Sequence, residues 1–300
     1  MQIFDGDILE FCENIIPPNG NLRIFYIRIG SFENQSLFGK LLDFIFKSEY
    51  SAVTDLTLEI VVDDISNSLL QHIQDNTTIT VLRFRSESDT SFTSLATSST
   101  YHLNNIETLE ITNHDSLIHK SAILNQICTP RLTTLILGAI TLNSDIQNYI
   151  LRHCGTLIDL EVRSNTITTG WDLPIILQSC KSLQRITFDH GHYAIPNLTS
   201  HTLRTIRLDH FANMVTPGKA DDIVRQMVHD LESFVLNKTA LFSKLHTIQI
   251  LDFHYSDLKK RKITQSTLAI WSAFLSECDA KNIYIQDILG TTIIQEHLRL

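Results

Sequence analysis

Asp189-His190-Gly191-His192, Asp209-His210 and Asp252-Phe253-His254 place an acid and an imidazole close together at three points of the chain. A carboxylate beside an imidazole is the material of a hydrolytic zinc site or of a general acid/base pair. Each set follows a run with strand-like alternation, so the three stand at the ends of successive strands. Loops strung along a sheet edge seldom close a pocket. The sets therefore read as polar rim groups, with a pH-sensitive binding rim as the functional alternative. A second set is Cys128, Cys154 and Cys180, which recur every 26 residues. Zinc wants close pairs of thiolates, whereas thiols recurring once per unit form a straight ladder with rungs roughly 5 Å apart. A ladder cannot close into a tetrahedron, and a small, buried packing role is expected. There is no Ser-His-Asp elbow, phosphate-binding glycine loop or His-Glu-x-x-His run. Ten glycines in 300 residues leave little to cradle a nucleotide. No catalytic, cofactor or metal residue is assigned, and the chain is not expected to be an enzyme.

The elements that position these residues are set by a repeat. Each of the three cysteines is followed by Leu-x-x-apolar-x-apolar: Leu132/Leu135/Leu137, Leu157/Leu160/Val162 and Leu183/Ile186/Phe188. The same frame starts at 22, 53, 79 and 106 upstream, and at 203, 245 and 280 downstream, the last copy being Ala280/Ile283/Ile285. Five consecutive steps lie between 25 and 27 residues, which chance would not hold in register. Within a frame the fourth and sixth positions are apolar and their neighbours polar, the pattern of a strand with one buried face. Helical spacing lies between, as in Leu37–Ile45, Leu117–Ile127 and Ile146-Tyr149-Ile150. Strand-then-helix units in line give parallel strands with crossover helices, and one unit buries its apolar face only by stacking. The steps of 20, 42 and 35 residues toward the C-terminus break the rhythm. The short unit, with Gly191, Pro196 and Ser200, has no room for a helix. The long ones carry apolar stripes over Ala220–Leu236 and Ile263–Cys278, with Trp271 as a core residue or an exposed anchor.

These residues resemble the leucine-rich repeat family, and more narrowly its cysteine-containing subtype, over roughly residues 22 to 287. The resemblance implies an α/β, right-handed solenoid, a horseshoe with a parallel concave sheet of about nine or ten strands and helices on the convex side. It would be one domain over 1–300, with 1–21 and 288–300 as caps. F-box proteins of ubiquitin ligases are prominent in this subtype. That implies a protein-protein interaction module, one that recognises substrates for such a ligase. A stand-alone scaffold or regulatory protein is the alternative. The helical box itself is not visible in residues 1–50, where Ile15-Ile16-Pro17-Pro18-Asn19-Gly20 is a breaker. An adaptor partner is expected only if a box lies upstream.

A balance of 24 basic against 33 acidic residues gives a net charge of −9, a poor match to nucleic acid. The one basic run, Lys259-Lys260-Arg261-Lys262, reads as a solvated loop. No long apolar segment or signal peptide is evident, so no membrane partner is expected. Five cysteines, an odd count, point to free thiols in a reducing, cytoplasmic or nuclear setting. A monomer is expected.

The third, fifth and seventh positions of each frame point away from the helices and line the concave face. They offer Tyr26, Arg83, Arg85, Glu110, Glu161, Arg163, Asp189, Arg207, Asp209 and Tyr284 to a protein partner. Both signs are mixed there, with arginine and tyrosine as candidate anchors.

Overall fold

The computed structural model describes residues 23–29, 53–60, 67–86, 100–113, 121–163, 167, 170–189, 198–209, 220–236, 238–252 and 263–293. The chain groups into two compact units, Met1–Leu157 with Ser164–Trp171, and Ile158–Arg163 with Asp172–Leu300.

The first unit holds strands β1 (Ile24–Ile29), β2 (Asp55–Ile60), β3 (Val81–Ser86), β4 (Tyr101–His102), β5 (Thr108–Asn113), β6 (Ile127–Cys128) and β7 (Thr134–Gly138). Its described helices are α1 (Asn67–Asp75), α2 (Ser121–Gln126) and α3 (Ser144–Arg152). β1, β2, β3, β5 and β7 lie side by side in that order, all parallel. Fourth positions stand opposite fourth positions: Phe25 by Leu56, Leu56 by Leu82, Leu82 by Leu109, Leu109 by Leu135. Sequential order with one crossover per step is what a 26-residue repeat imposes, since each unit has only its neighbours to pack on.

The second unit repeats this with β8 (Asp159–Arg163), β9 (Arg185–Asp189), β10 (Thr205–Asp209), β11 (Thr247–Ile250) and β12 (Tyr284–Gln286), again parallel and sequential. Its helices are α4 (Leu173–Ser179), α5 (Ala220–Leu236), α6 (Lys238–Leu241) and α7 (Gln265–Ala280). Both units are thus α/β stacks of parallel strands.

One backbone rung recurs through both. The N–H groups of the second and third frame positions share the carbonyl of the preceding unit's second position. Thr54 and Asp55 donate to Arg23, Thr80 and Val81 to Thr54, Glu107 and Thr108 to Thr80, and Arg204 and Thr205 to Gln184. The repeat therefore lives in the main chain as well as in the side chains.

The cores are the rows the frame names. Leu56, Leu82, Leu109 and Leu135 are buried in the first unit, as are Leu160, Ile186, Ile206 and Ile248 in the second. Helices cover these rows with Leu70 and Ile73, Ile146, Tyr149 and Ile150, and Leu173, Ile176 and Leu177. α5 buries Val224, Met227, Leu231, Phe234 and Val235. Trp271 is 1% exposed and stacks near Phe274, ring centroids 5.6 Å apart, so it is core and not an exposed anchor. Asp221 at the head of α5 accepts from the Thr264 N–H and hydroxyl, 2.8 and 2.9 Å away, which ties α7 to α5.

Two expectations are corrected. The last frame is slipped by two: Ile285, not Ile283, stands opposite Ile248. Asn282 has φ 52°, Asn282 N–H bonds Asp279 O at 2.9 Å and Ile283 N–H bonds Cys278 O at 2.8 Å. These two bonds close α7 in a Schellman motif, so Ile283 serves the helix end rather than the strand. In addition, Ile127 is not the end of a helical stripe. α2 stops at Gln126, and Ile127–Cys128 pairs with Tyr101–His102 as a small ladder of its own. After β12 the chain turns at Gly290 (φ +73°) and Ile293 N–H bonds Ile285 O at 2.8 Å, covering the far edge of that strand. That self-pairing blocks edge-to-edge association there.

Asn143 caps α3, its side-chain oxygen accepting from the N–H groups of Asp145 and Ile146 at 3.1 Å each. Asn143→Ala should cost about 1 kcal/mol, read as a lower urea midpoint with unchanged slope.

Candidate functional site

Alternation places the third, fifth and seventh frame positions of each unit on the sheet face opposite the buried rows. In the first unit Arg83 and Glu110 are direct neighbours in register. Arg83 Nε lies 3.0 Å from Glu110 Oε2, and Arg85 Nη2 lies 3.1 Å from Glu110 Oε1. On its other side Arg83 pairs with Asp55. Acid and base thus alternate across β2, β3 and β5. Thr57 and Glu59 share this face and are buried. Gly138 ends β7 without a side chain because a Cβ there would sit 2.8 Å from Thr112 Cγ2.

The second unit carries a larger network. Asp159 Oδ2 accepts from Arg185 Nε at 2.8 Å and from Arg207 Nη2 at 3.0 Å. Arg163 Nε lies 2.8 Å from Glu161 Oε1 and 3.5 Å from Asp209 Oδ2. Arg207 Nη1 stands 3.7 Å from Glu161 Oε2. Burial holds the Glu161 carboxyl above its ordinary range; Arg163 and Arg207 pull it back, while Asp159 and Asp209 push it further up. Pairs that share partners in a half-buried setting hold their geometry better than isolated surface pairs.

The ten expected face residues fall as follows. Arg83, Arg85 and Glu110 join one network, and Glu161, Arg163, Arg207 and Asp209 join the other. Asp189 is buried beside Asp209 in register. Tyr26 and Tyr284 stand 42% and 49% exposed on β1 and β12. The slipped last frame moves Tyr284 from fifth to third position, and since the slip is even it stays on the same face. Asp55, Asp159 and Arg185 belong to these networks and were not singled out from sequence. The signal existed: they occupy third positions, which the same alternation turns outward.

Of the Asp-His sets, Asp189, Asp209 and Asp252 are described, while His190, Gly191, His192, His210, Phe253 and His254 lie outside the described residues. So do Leu22, Leu37–Ile45, Leu117, Ile118, Pro196 and Lys259–Lys262. Among the described residues no group of three His, Cys, Asp or Glu could hold a metal. The four described cysteines are free thiols. Cys180 is buried as expected, and Cys278 is buried too, whereas Cys128 and Cys154 are only half-buried, against the expectation. Burial pushes the Cys278 thiol up to about 12, so it stays protonated and inert.

A polar cluster not foreseen from sequence sits under α3. Thr129 Oγ1 is 2.6 Å from the Tyr149 hydroxyl and 3.3 Å from His153 Nε2. A cavity of about 290 Å³ adjoins it, lined by Cys128, Pro130, Arg152, His153 and Thr156 among others. Burial, helped by the Arg152 charge, pushes His153 down to about 4. Burial also pushes the Tyr149 phenol well above its usual range. Both shifts favour the neutral forms of the two groups. No protein-family model matches the sequence, and no curated protein is significantly similar to it. Among the described residues no helix is long and apolar enough to cross a membrane.

Proposed function

We propose that the chain is a leucine-rich-repeat protein that binds another protein on its outward sheet face. The observation that carries this reading is that each unit has an ordered row of arginines and carboxylates on neighbouring strands and an exposed tyrosine on an end strand, Tyr26 in the first and Tyr284 in the second. Arginine and tyrosine are favoured anchors of protein interfaces, and paired charges give a patterned rather than a single-signed surface. The row lacks the single sign that would follow a phosphate backbone. The narrower reading is a substrate receptor of an SCF-type ubiquitin ligase, working in the cytoplasm or nucleus.

Affinity capture from an extract followed by charge reversal tests the face. Arg83→Glu with Glu110→Arg, and Glu161→Arg with Arg207→Glu, each keep one acid–base contact while inverting the pattern a partner meets. Captured partner should fall at least about tenfold, with the fold retained by circular dichroism. Undiminished capture by both pairs of substitutions would place the interface off this face. Capture of the cullin adaptor by the full chain supports the ligase role; its absence beside a retained partner leaves a stand-alone scaffold.

A further inference from the structure

On the second unit's outward face, β8, β9 and β10 bring together oxygens that the arginines serve unevenly. Asp159 gives both of its arginine contacts, Arg185 at 2.8 Å and Arg207 at 3.0 Å, to Oδ2. Its Oδ1 is buried and has no hydrogen-bond partner. Thr187 stands directly beside Glu161 and Arg207 in register, is 0% exposed, and its hydroxyl also has no partner. Glu161 Oε2 has Arg207 only at 3.7 Å, beyond hydrogen-bond reach. Asp159 Oδ1 and the Thr187 hydroxyl, on adjacent strands, thus lack a hydrogen-bond partner, and Glu161 Oε2, on the neighbour of Thr187 in register, has no arginine within hydrogen-bond distance. Arg207 stands beside Thr187 in register, and its side chain, 22% exposed, reaches Asp159. Its guanidinium is a planar fork already committed to Asp159 Oδ2, and it cannot turn a donor toward all three.

A compact group with three tetrahedral N–H donors and a positive charge fits this set, and a planar one does not. We infer that Asp159, Glu161 and Thr187 form a socket for a lysine ammonium of a protein partner, with Arg207 as the side chain that swings aside to admit it. Desolvating a cation here is offset by two carboxylates, whereas burying it beside a neutral wall is not. Burial is the main cause of the raised Glu161 carboxyl, with Asp159 and Asp209 adding to it, and a cation brought beside it would favour its charged form. This inference deepens the protein-binding reading and rests on it.

The probe is n-butylammonium chloride added to the full chain, with tetramethylammonium chloride at equal ionic strength as the control that lacks N–H donors. Methyl and amide NMR signals of Thr187, with the amide of Asp159, should shift saturably with butylammonium and not with tetramethylammonium. Thr187→Ser should keep the response and Thr187→Val should lose it. Because the hydroxyl has no partner in the free protein, Thr187→Val should also raise the melting temperature. A lowered melting temperature would mean that a trapped water already serves the hydroxyl, and would overturn the inference. Equal shifts with both salts, or none, would overturn it as well. This assay needs no partner. A positive socket with charge reversals that leave capture unchanged would therefore remove the protein-binding reading alone, and the opposite pair of results would remove the socket alone.

Discussion

Leu160→Ala is expected to lower the free energy of unfolding by about 2–5 kcal/mol. Leu160 is fully buried on β8 and stands opposite Ile186 in the row shared by Ile206 and Ile248. Removing its isobutyl group takes away transfer energy and leaves a hole that the main-chain rungs to β9 keep from collapsing. A denaturant melt should show a lower midpoint with unchanged slope. Arg185→Ala, one strand away on the opposite face and half exposed, should change stability by less than about 1 kcal/mol. Similar losses for both substitutions would mean that the two faces have been assigned wrongly.

Acid should destabilise the protein through His153. Its folded pKa is about 4 against an ordinary 6.5. Between those values the unfolded chain takes up a proton that the folded protein declines. Stability is therefore full above about 6.5, falls as the pH drops through the window and levels off below about 4. The whole shift corresponds to at most about 3 kcal/mol. Carboxylates titrate in the lower half of the window too, so the informative quantity is the difference between the wild type and His153→Gln. The glutamine keeps a hydrogen-bonding group near Thr129 without titrating. The variant should lose distinctly less stability between pH 7 and pH 4.5. Parallel loss in both proteins would show that His153 is open to protonation in the fold.

The register was legible in the chain because a stack of sequential strands admits one solution. Once Leu56, Leu82, Leu109 and Leu135 share a frame position, the buried row follows, and so does the set of residues turned outward. The two-residue slip at β12 has a physical origin. Ala280 and Ile283 look like frame residues, but α7 runs to Ala280 and its closing turn claims Ile283. A helix C-terminus ending in Asn at positive φ was the available clue. The end of α2 departs from the expected stripe for a related reason: apolar Ile127 fits a helical stripe as well as a strand, and only its distant partner Tyr101 decides.

The charge networks were half legible. Opposite charges at the same frame position of adjacent units, as in Arg83 and Glu110, must meet across strands. The reach of Arg207 past Thr187 to Asp159 depends on side-chain length and direction, which a frame does not encode. The Thr129–Tyr149–His153 cluster was not legible at all. Tyr149 reads as part of an apolar helix stripe, and nothing in the chain says that its hydroxyl meets a threonine 20 residues earlier.

Methyl–methyl nuclear Overhauser spectra of the full chain, with leucine and isoleucine methyls labelled, test the repeat most directly. Adjacent strands lie about 4.8 Å apart, close enough for strong cross-peaks between residues sharing a frame position. The account predicts an unbroken walk from Leu56 to Leu82, Leu109 and Leu135, and another from Leu160 to Ile186, Ile206, Ile248 and Ile285. Walks that break, or that join fourth positions to residues outside the frame, would contradict it.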